Sequence, residues 1–237
     1  MTSTAKTIEP SPPAAATVAV WDVPVRLFHW ALVALIGFSW WSARAEQLEW
    51  HMYSGYAILS LIVFRVLWGL FGSSTARFAK FVKGPRAVIA YIRHSRAWHA
   101  VGHNPLGALS VLAMLIVLKL QVATGLINAD DDGLIEAPLA KFTSLESADF
   151  IHELHEILFN VLLALIALHL AAILFYRLVL GQKLVGPMVS GRAKSDPAVD
   201  PATESMRPGK WWVAVLCLLA AVALTRWLIA GAPPIGA

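Results

Sequence analysis

Four histidines lie within or at the ends of long apolar segments of the chain: His29, His51, His155 and His169. An ionisable side chain at bilayer depth is costly, so histidines at such positions are candidates for a function. A neutral imidazole is a common metal ligand and an axial ligand of haem iron. Two histidines on different segments could hold one haem, and four could hold two.

The composition is that of a membrane protein. Of 237 residues, 58% are hydrophobic and only 14% are charged, whereas a typical soluble domain has about a quarter charged residues. Five apolar stretches reach the roughly 20 residues that a spanning helix needs: 25–43, 51–71, 105–126, 153–179 and 211–230. The sequence therefore predicts an all-α, polytopic membrane protein with five transmembrane helices.

A single cysteine, Cys217, lies in the fifth stretch. The sequence contains no Cys-x-x-Cys-His motif, which excludes covalent attachment of a c-type haem. It contains no cysteine-rich iron–sulfur pattern either. Any haem must therefore be bound without covalent attachment.

The charges of the connecting segments predict how the chain crosses the membrane. Residues 72–104 carry six lysines and arginines and no acid, whereas residues 127–151 carry six acids and one lysine. Lysine and arginine mark the cytoplasmic side. We therefore expect a bacterial inner-membrane protein with a cytoplasmic N-terminus, an acidic periplasmic loop after the third span, and a periplasmic C-terminus.

Composition divides the chain into four regions. Residues 1–19 are rich in Ser, Thr, Ala and Pro and are predicted to be a disordered cytoplasmic leader rather than a signal peptide. Residues 20–192 contain the first four spans and all four candidate histidines and are expected to form a four-helix dihaem domain, followed by a flexible cytoplasmic linker at residues 193–210 and an additional helix at residues 211–231. The basic, partly apolar segment 84–98 is either an interfacial helix or a solvated loop.

Depth sorts the four histidines into two pairs. His51 opens the second span and His155 lies near the start of the fourth, so both lie toward the periplasm. His169 lies about 21 Å deeper than His155 on the same helix and within about 40° of the same face. His169 therefore lies in the cytoplasmic half of the membrane. His29, near the start of the first span, lies at a similar depth in that half. We expect His51 and His155 to hold an outer haem, and His29 and His169 an inner haem.

Each haem carries two propionate carboxylates, which need cationic partners. Arg26 lies one turn before His29, and Arg65 lies deep in the second span on its cytoplasmic side. Both are placed to contact propionates of the inner haem. Arg65 could alternatively extend its guanidinium to the membrane surface.

Other polar and small residues leave alternatives open. His152 lies three residues before His155 and could replace it as the ligand. Lys119 in the third span could pair with an outer propionate or with Glu156, or could extend to the periplasm. Three histidines of the basic segment are interpreted as surface or propionate-contacting residues: His94, His99 and His103. Three glycines could admit a flat macrocycle or close helix packing: Gly37, Gly55 and Gly125.

Five stretches carry a family resemblance. They are Val20–Trp30 (VWDVPVRLFHW), His51–Gly69 (HMYSGYAILSLIVFRVLWG), Ala76–Phe81 (ARFAKF), Gly102–Gly107 (GHNPLG) and His152–Glu156 (HELHE). Together they make residues 20–192 resemble the bacterial cytochrome b561 family, which includes the b-type cytochrome subunits of nickel–iron hydrogenases. The resemblance implies an all-α, four-helix haem-binding bundle, to which this chain adds a fifth C-terminal transmembrane helix. It also implies two haems b bound at the four histidines above, and electron exchange with membrane quinone and a partner redox protein. The fifth span departs from the four-helix pattern.

Several functions fit these features. One is an electron carrier between quinone and a periplasmic partner such as a c-type cytochrome, which Asp130, Asp131 and Asp132 could attract, although these acids could also simply be solvated. Another is a haem b anchor subunit of a hydrogenase-, thiosulfate- or formate-type oxidoreductase. A third is a haemless structural or transport protein. The predicted partners are the bilayer, the quinone pool and a periplasmic protein, with no nucleic acid.

Overall fold

The computed structural model describes residues 17–93, 102–128, 137–194 and 205–233. Within these residues, five helices are long and apolar enough to cross a membrane. In chain order, the elements are β1 (Thr17–Ala19), α1 (Val23–Arg44), α2 (Leu48–Phe71), α3 (Phe78–Phe81), α4 (Pro85–Arg93), α5 (Pro105–Ile127), a 3-10 turn (Ala140–Phe142), α6 (Leu145–Leu178), α7 (Val185–Ser190), β2 (Arg192–Lys194) and α8 (Trp211–Ile229). The prediction of an all-α protein with five spans, here α1, α2, α5, α6 and α8, is confirmed.

Two of the spans, α1 and α5, begin with a capping side chain and have a proline in their first turn. The Asp22 carboxylate accepts a hydrogen bond from the backbone N–H of Val25 at 2.7 Å, at the start of α1. The Asn104 side chain accepts one from Gly107 at 2.7 Å, at the start of α5. Such caps satisfy N–H groups that have no partner in the first helical turn. They fix the ends of the helices that flank the candidate site.

The spans pack as two close pairs. α1 lies along α2, and α5 lies along α6, while α2 also contacts α5. Among the described elements, α6 makes extensive backbone contact with α5 alone. Side chains of α1 and α6 do meet, since the rings of Trp40 and Phe159 have centroids 6.4 Å apart. The backbones of α1 and α6 are therefore farther apart than those of the packed pairs, which leaves room between them.

Aliphatic side chains fill the middle of the bundle. Ile58 and Ile62 of α2 pack there against Leu118 of α5 and Leu162 of α6. All four are buried, with between 2% and 4% of their surface exposed. Because Leu162 lies between His155 and His169 on α6, this aliphatic layer separates the two histidine levels.

The fifth span packs on α2. Its buried face repeats every four residues, as Cys217, Ala221 and Thr225. Small residues allow close approach of membrane helices, and Ala221 is fully buried. Ser60 of α2 also donates a hydrogen bond to Thr225 Oγ1 at 3.0 Å. The additional helix is therefore a packed part of the bundle.

Two segments differ from the expectation of a disordered leader and a flexible linker. β1, at the end of the predicted leader, pairs antiparallel with β2, with Thr17 opposite Lys194. Farther along the predicted linker, the backbone N–H of Met206 donates to the carbonyl of Ala19 at 2.7 Å. The reason is that extended segments satisfy each other's backbone hydrogen bonds. Residues 1–16 and 195–204 lie outside the described residues.

The end of the linker next to α8 packs against Trp68 of α2. Gly209 lies so close to Trp68 that an added Cβ would be 2.6 Å from the ring. Trp68 in turn donates a hydrogen bond from Nε1 to Asp22 Oδ2 at 2.9 Å. We call this end of the bundle, which carries residues 72–93 and 205–210, the basic end. The other end, at residues 45–47 and 137–144, is the opposite end.

Candidate functional site

The structure brings His51 and His155 together. Their rings, on α2 and α6, have centroids 6.2 Å apart and planes at 80° to each other. A first-row metal lies about 2 Å from an imidazole nitrogen, so two rings at this separation can both bind one metal ion between them. Both side chains are half-buried near the opposite end. Their arrangement suits a pair of ligands that would hold one haem iron.

Hydrogen bonds hold each of these rings by Nδ1. His51 Nδ1 lies 2.9 Å from the carbonyl oxygen of Ser39, which can only accept, so Nδ1 carries the proton. His155 Nδ1 lies 2.9 Å from Thr124 Oγ1, whose own hydrogen is donated to the carbonyl of Gln121 at 2.9 Å. His155 Nδ1 is therefore also the donor. Nε2 of each ring remains unprotonated, as a metal ligand must be.

His152 lies elsewhere. Its side chain is 64% exposed and lies 3.9 Å from the Glu156 carboxylate. Its Nδ1 lies 3.4 Å from the amide nitrogen of Asn128. The structure thus brings His155, rather than His152, to His51.

The second pair occupies the basic half of the bundle. His29 of α1 and His169 of α6 are both half-buried. Nδ1 of His29 is buried without a hydrogen-bond partner among the described residues. Buried polar atoms rarely lack a partner, so this nitrogen marks a place where a further group fits.

Glycines open space beside the histidines. Gly55 is one turn after His51, and a Cβ added there would meet nothing within 4 Å. Gly125 packs on the other ring, because an added Cβ would lie 3.1 Å from His155 Cε1. Gly37 has open space too, but is exposed. The open space at Gly55 fits a flat ligand beside His51, at the level of the outer pair.

The sequence model of one family, described as prokaryotic cytochrome b561, matches residues 20–191. The chain belongs to this family. It is therefore a multi-pass bacterial membrane protein, a transmembrane b-type cytochrome that binds haem b and takes part in electron transfer. The match ends before α8. Neither a curated protein nor a solved structure matches this cytochrome b561.

Arg65 of this cytochrome b561 is buried at the basic end. Only 3% of its surface is exposed, so the alternative that it extends to the membrane surface is wrong. Its guanidinium lies 4.8 Å from the ring centre of Phe78, and Nη1 donates to the carbonyl of Ala76 at 3.2 Å. Stacking on an aromatic face keeps the cation inside. Within the described residues the other guanidinium donors have no acceptor, so they are available to an anionic ligand.

Arg26 has a structural partner. Its Nη1 donates to the carbonyl of Val189 at 2.7 Å, near the end of α7. Its Nε is buried without a hydrogen-bond partner among the described residues. Gly191, with φ of 81°, leaves room for the guanidinium, which would lie 3.2 Å from an added Cβ. Arg26 therefore holds α7 against α1 and has one donor left for a further acceptor.

His103 is an internal residue of the basic end. Its ring packs between Trp21 and Phe81, with centroids 4.6 and 4.5 Å away. Burial, followed by the charge of Arg65, lowers the pKa of His103 to about 3, so the imidazole is neutral at physiological pH. Its Nδ1 is buried without a partner among the described residues. Of the two alternatives for His103, this packing fits the propionate-contacting one better than a surface position; His94 and His99 lie outside the described residues.

Lys119 lies on the exposed face of α5 and has no ion pair among the described residues. This position fits extension to the membrane surface and does not fit pairing with Glu156. The three aspartates Asp130, Asp131 and Asp132 lie outside the described residues.

Sequence reasoning missed Ser39 and Thr124, which hold the two rings of the outer pair. Thr124 precedes Gly125, but no spacing relates it to His155 on another helix. The only available signal is a hydroxyl residue within a membrane span.

Proposed function

We propose that this cytochrome b561 binds two haems b between pairs of histidines and carries electrons across the bacterial inner membrane. The donor and acceptor would be quinone and a periplasmic redox partner such as a c-type cytochrome. The observation that supports this most is the facing arrangement of His51 and His155, with ring centroids 6.2 Å apart. The second pair, His29 and His169, lies roughly 21 Å deeper along α6.

The outer pair has the chemistry of an electron-transfer centre. When bound, haem b supplies an iron that takes up and releases one electron. His51 and His155 would hold this haem, each through one imidazole nitrogen. Ser39 and Thr124 fix the rings through Nδ1, so the ligands need little rearrangement. A rigid ligand set of this kind favours electron transfer over bond-making chemistry.

The inner pair is surrounded by groups that suit propionates. The guanidinium of Arg65, which stacks on the ring of Phe78, has N–H groups without an acceptor among the described residues. Arg26 Nε and His103 Nδ1 are buried without partners among the described residues. We propose that these three side chains bind the propionates of an inner haem held by His29 and His169.

The aliphatic layer of Ile58, Ile62, Leu118 and Leu162 would separate the two haems. Its side chains neither donate nor accept hydrogen bonds, so they offer no path for protons. Electrons can cross such a layer without protons. We infer that charge moves between the two centres as electrons alone.

The distribution of charge supports the orientation. Eleven cations are carried by the described residues of the basic end and of the chain that leaves α6: Arg77, Lys80, Lys83, Arg86, Arg93, Arg177, Lys183, Arg192, Lys194, Arg207 and Lys210. Cationic segments are retained in the cytoplasm. We propose that the basic end is cytoplasmic, so that the His51 and His155 pair lies near the periplasm and α8 ends there.

Electron transfer across a liposome membrane tests the proposal. Liposomes carrying the protein would enclose ferricyanide, and dithionite would be added outside. The absorbance of ferricyanide should fall much faster than in protein-free liposomes, and His51→Ala or His29→Ala should abolish the difference. His152→Ala is the matched control and should behave as wild type. Equal rates in the His51→Ala and wild-type liposomes would rule out the proposed path.

A further inference from the structure

The short helix α4 is fixed at the depth where two spans end. Tyr91 is buried, and its hydroxyl lies 2.5 Å from that of Tyr176, two residues before the end of α6. The side chain of Asn104, which caps the start of α5, donates to the same Tyr176 hydroxyl at 2.9 Å. α4 therefore lies beside the bundle at the level of its basic end, where a membrane has its surface.

A face of α4 that points away from Tyr91 is apolar and exposed. Ile89 is 51% exposed and Ile92 is 61% exposed. At 100° per residue, these two side chains lie about 60° apart and about 100° or more from Tyr91. Ile92 lies about 100° and Ile89 about 160° around the helix from Tyr91, so this face is distinct from the one that contacts the bundle.

Cations flank this apolar face. Arg86 and Arg93 are both exposed and lie within about 60° of Ile89 around the helix. Lys80 and Lys83 precede them, and residues 72–93 contain no acid. An apolar face beside a row of cations matches the chemistry of an anionic bilayer surface, where acyl chains lie beneath phosphate groups.

We propose that α4 is an interfacial helix that binds anionic phospholipid headgroups of the leaflet at the basic end. Ile89 and Ile92 enter the upper acyl region, and Arg86 and Arg93 bind the phosphates above them. Charge complementarity favours this occupant. The proposal does not depend on haem binding, because its residues contact neither histidine pair.

Spin-label accessibility tests the apolar contact. Cys217 is the single cysteine of the chain, so Cys217→Ala gives a background in which Ile89→Cys carries one nitroxide label. In nanodiscs of mixed phosphatidylglycerol and phosphatidylcholine, the label at 89 should collide with oxygen and be shielded from a water-soluble nickel chelate. The matched control is Ala90→Cys, about 100° away, which should be more open to nickel. Equal nickel access at both positions, or shielding of 89 from both reagents by a protein partner, would overturn the proposal.

Lipid selectivity tests the charges. The full chain in neutral detergent would be titrated with phosphatidylglycerol and, separately, with phosphatidylcholine, and bound lipid counted by native mass spectrometry. The double variant Arg86→Gln, Arg93→Gln lacks both arginines of α4, and the loss of each arginine should weaken phosphatidylglycerol binding about fivefold. Lys183→Gln with Lys194→Gln removes two exposed cations from other elements and should have a smaller effect. Equal losses in the two double variants, or equal binding of both lipids by wild type, would contradict the assignment.

Discussion

Thr124 Oγ1 lies 2.9 Å from Nδ1 of His155 and passes its own hydrogen to the backbone of α5. The threonine is buried, so water does not compete for this bond. The imidazole is thereby fixed in one tautomer and one orientation, with Nε2 directed away from Thr124. A hydrogen bond of this kind also makes a ligand ring more basic.

Removing this hydroxyl should weaken the outer haem alone. Thr124→Val keeps the shape of the side chain but removes the acceptor for His155 Nδ1. We expect the affinity for one of the two haems to fall about 10- to 100-fold, and the potential of that haem to rise because its ligand is less basic. Spectroelectrochemical titration and haem retention on dilution measure these effects.

Thr225→Val is the matched control for Thr124→Val. Thr225 is also buried, but it accepts a hydrogen bond from Ser60, between α2 and α8. The Thr225→Val variant should leave both haem potentials unchanged. If the two valine variants have the same potentials, Thr124 has no role in holding the ligand.

Filling the space at Gly55 should exclude the outer haem. An added side chain there meets nothing within 4 Å among the protein atoms, and leucine favours a helix over glycine by about 1 kcal/mol. Gly55→Leu should therefore leave helix content intact while the number of haems per chain falls from two to one. Circular dichroism and haem analysis on the same sample separate the two effects.

Ala223→Leu, on the exposed side of α8, serves as the comparison for Gly55→Leu. It should keep both haems. A Gly55→Leu protein that also keeps both would show that the space beside His51 is not where a haem lies.

Weakening the contact between the fifth span and α2 should lower the free energy of unfolding without loss of haem. Ala221 is fully buried between Cys217 and Thr225, so Ala221→Leu overpacks the contact, at about 1–3 kcal/mol. The four histidines lie on other helices. Thermal unfolding in detergent should shift to lower temperature with the haem content unchanged.

Ala220→Leu changes a neighbouring exposed position and should have little effect on unfolding. Loss of haem from Ala221→Leu, in contrast, would mean that α8 is needed to form the haem-binding bundle itself.

The sequence predicts the spans and the depth of the histidines because both depend on local properties. Hydropathy marks each span, and the rise per residue of a helix places His155 and His169 at two levels. The contact of Thr124 with His155 depends on how α5 rotates against α6, which no spacing in one helix specifies. The pairing of β1 with β2 joins three-residue strands too short to have a pattern.

The basic end is hard to predict for the same reason. His103 is internal because the connection after α2 folds back, so that Phe81 and Trp21 enclose the imidazole ring. The sequence there is basic and polar, which is typical of a solvated loop. Burial of this kind arises from contacts between distant parts of the chain.

The number of haems per chain tests the central claim most directly. Haem would be quantified from the reduced-minus-oxidised spectrum and its pyridine derivative, against protein measured by amino-acid analysis. We predict two haems b per chain in the wild type, one in His155→Ala, and two in His152→Ala. A wild-type ratio of one or near zero, or a full pair of haems in His155→Ala, would contradict the two-haem account.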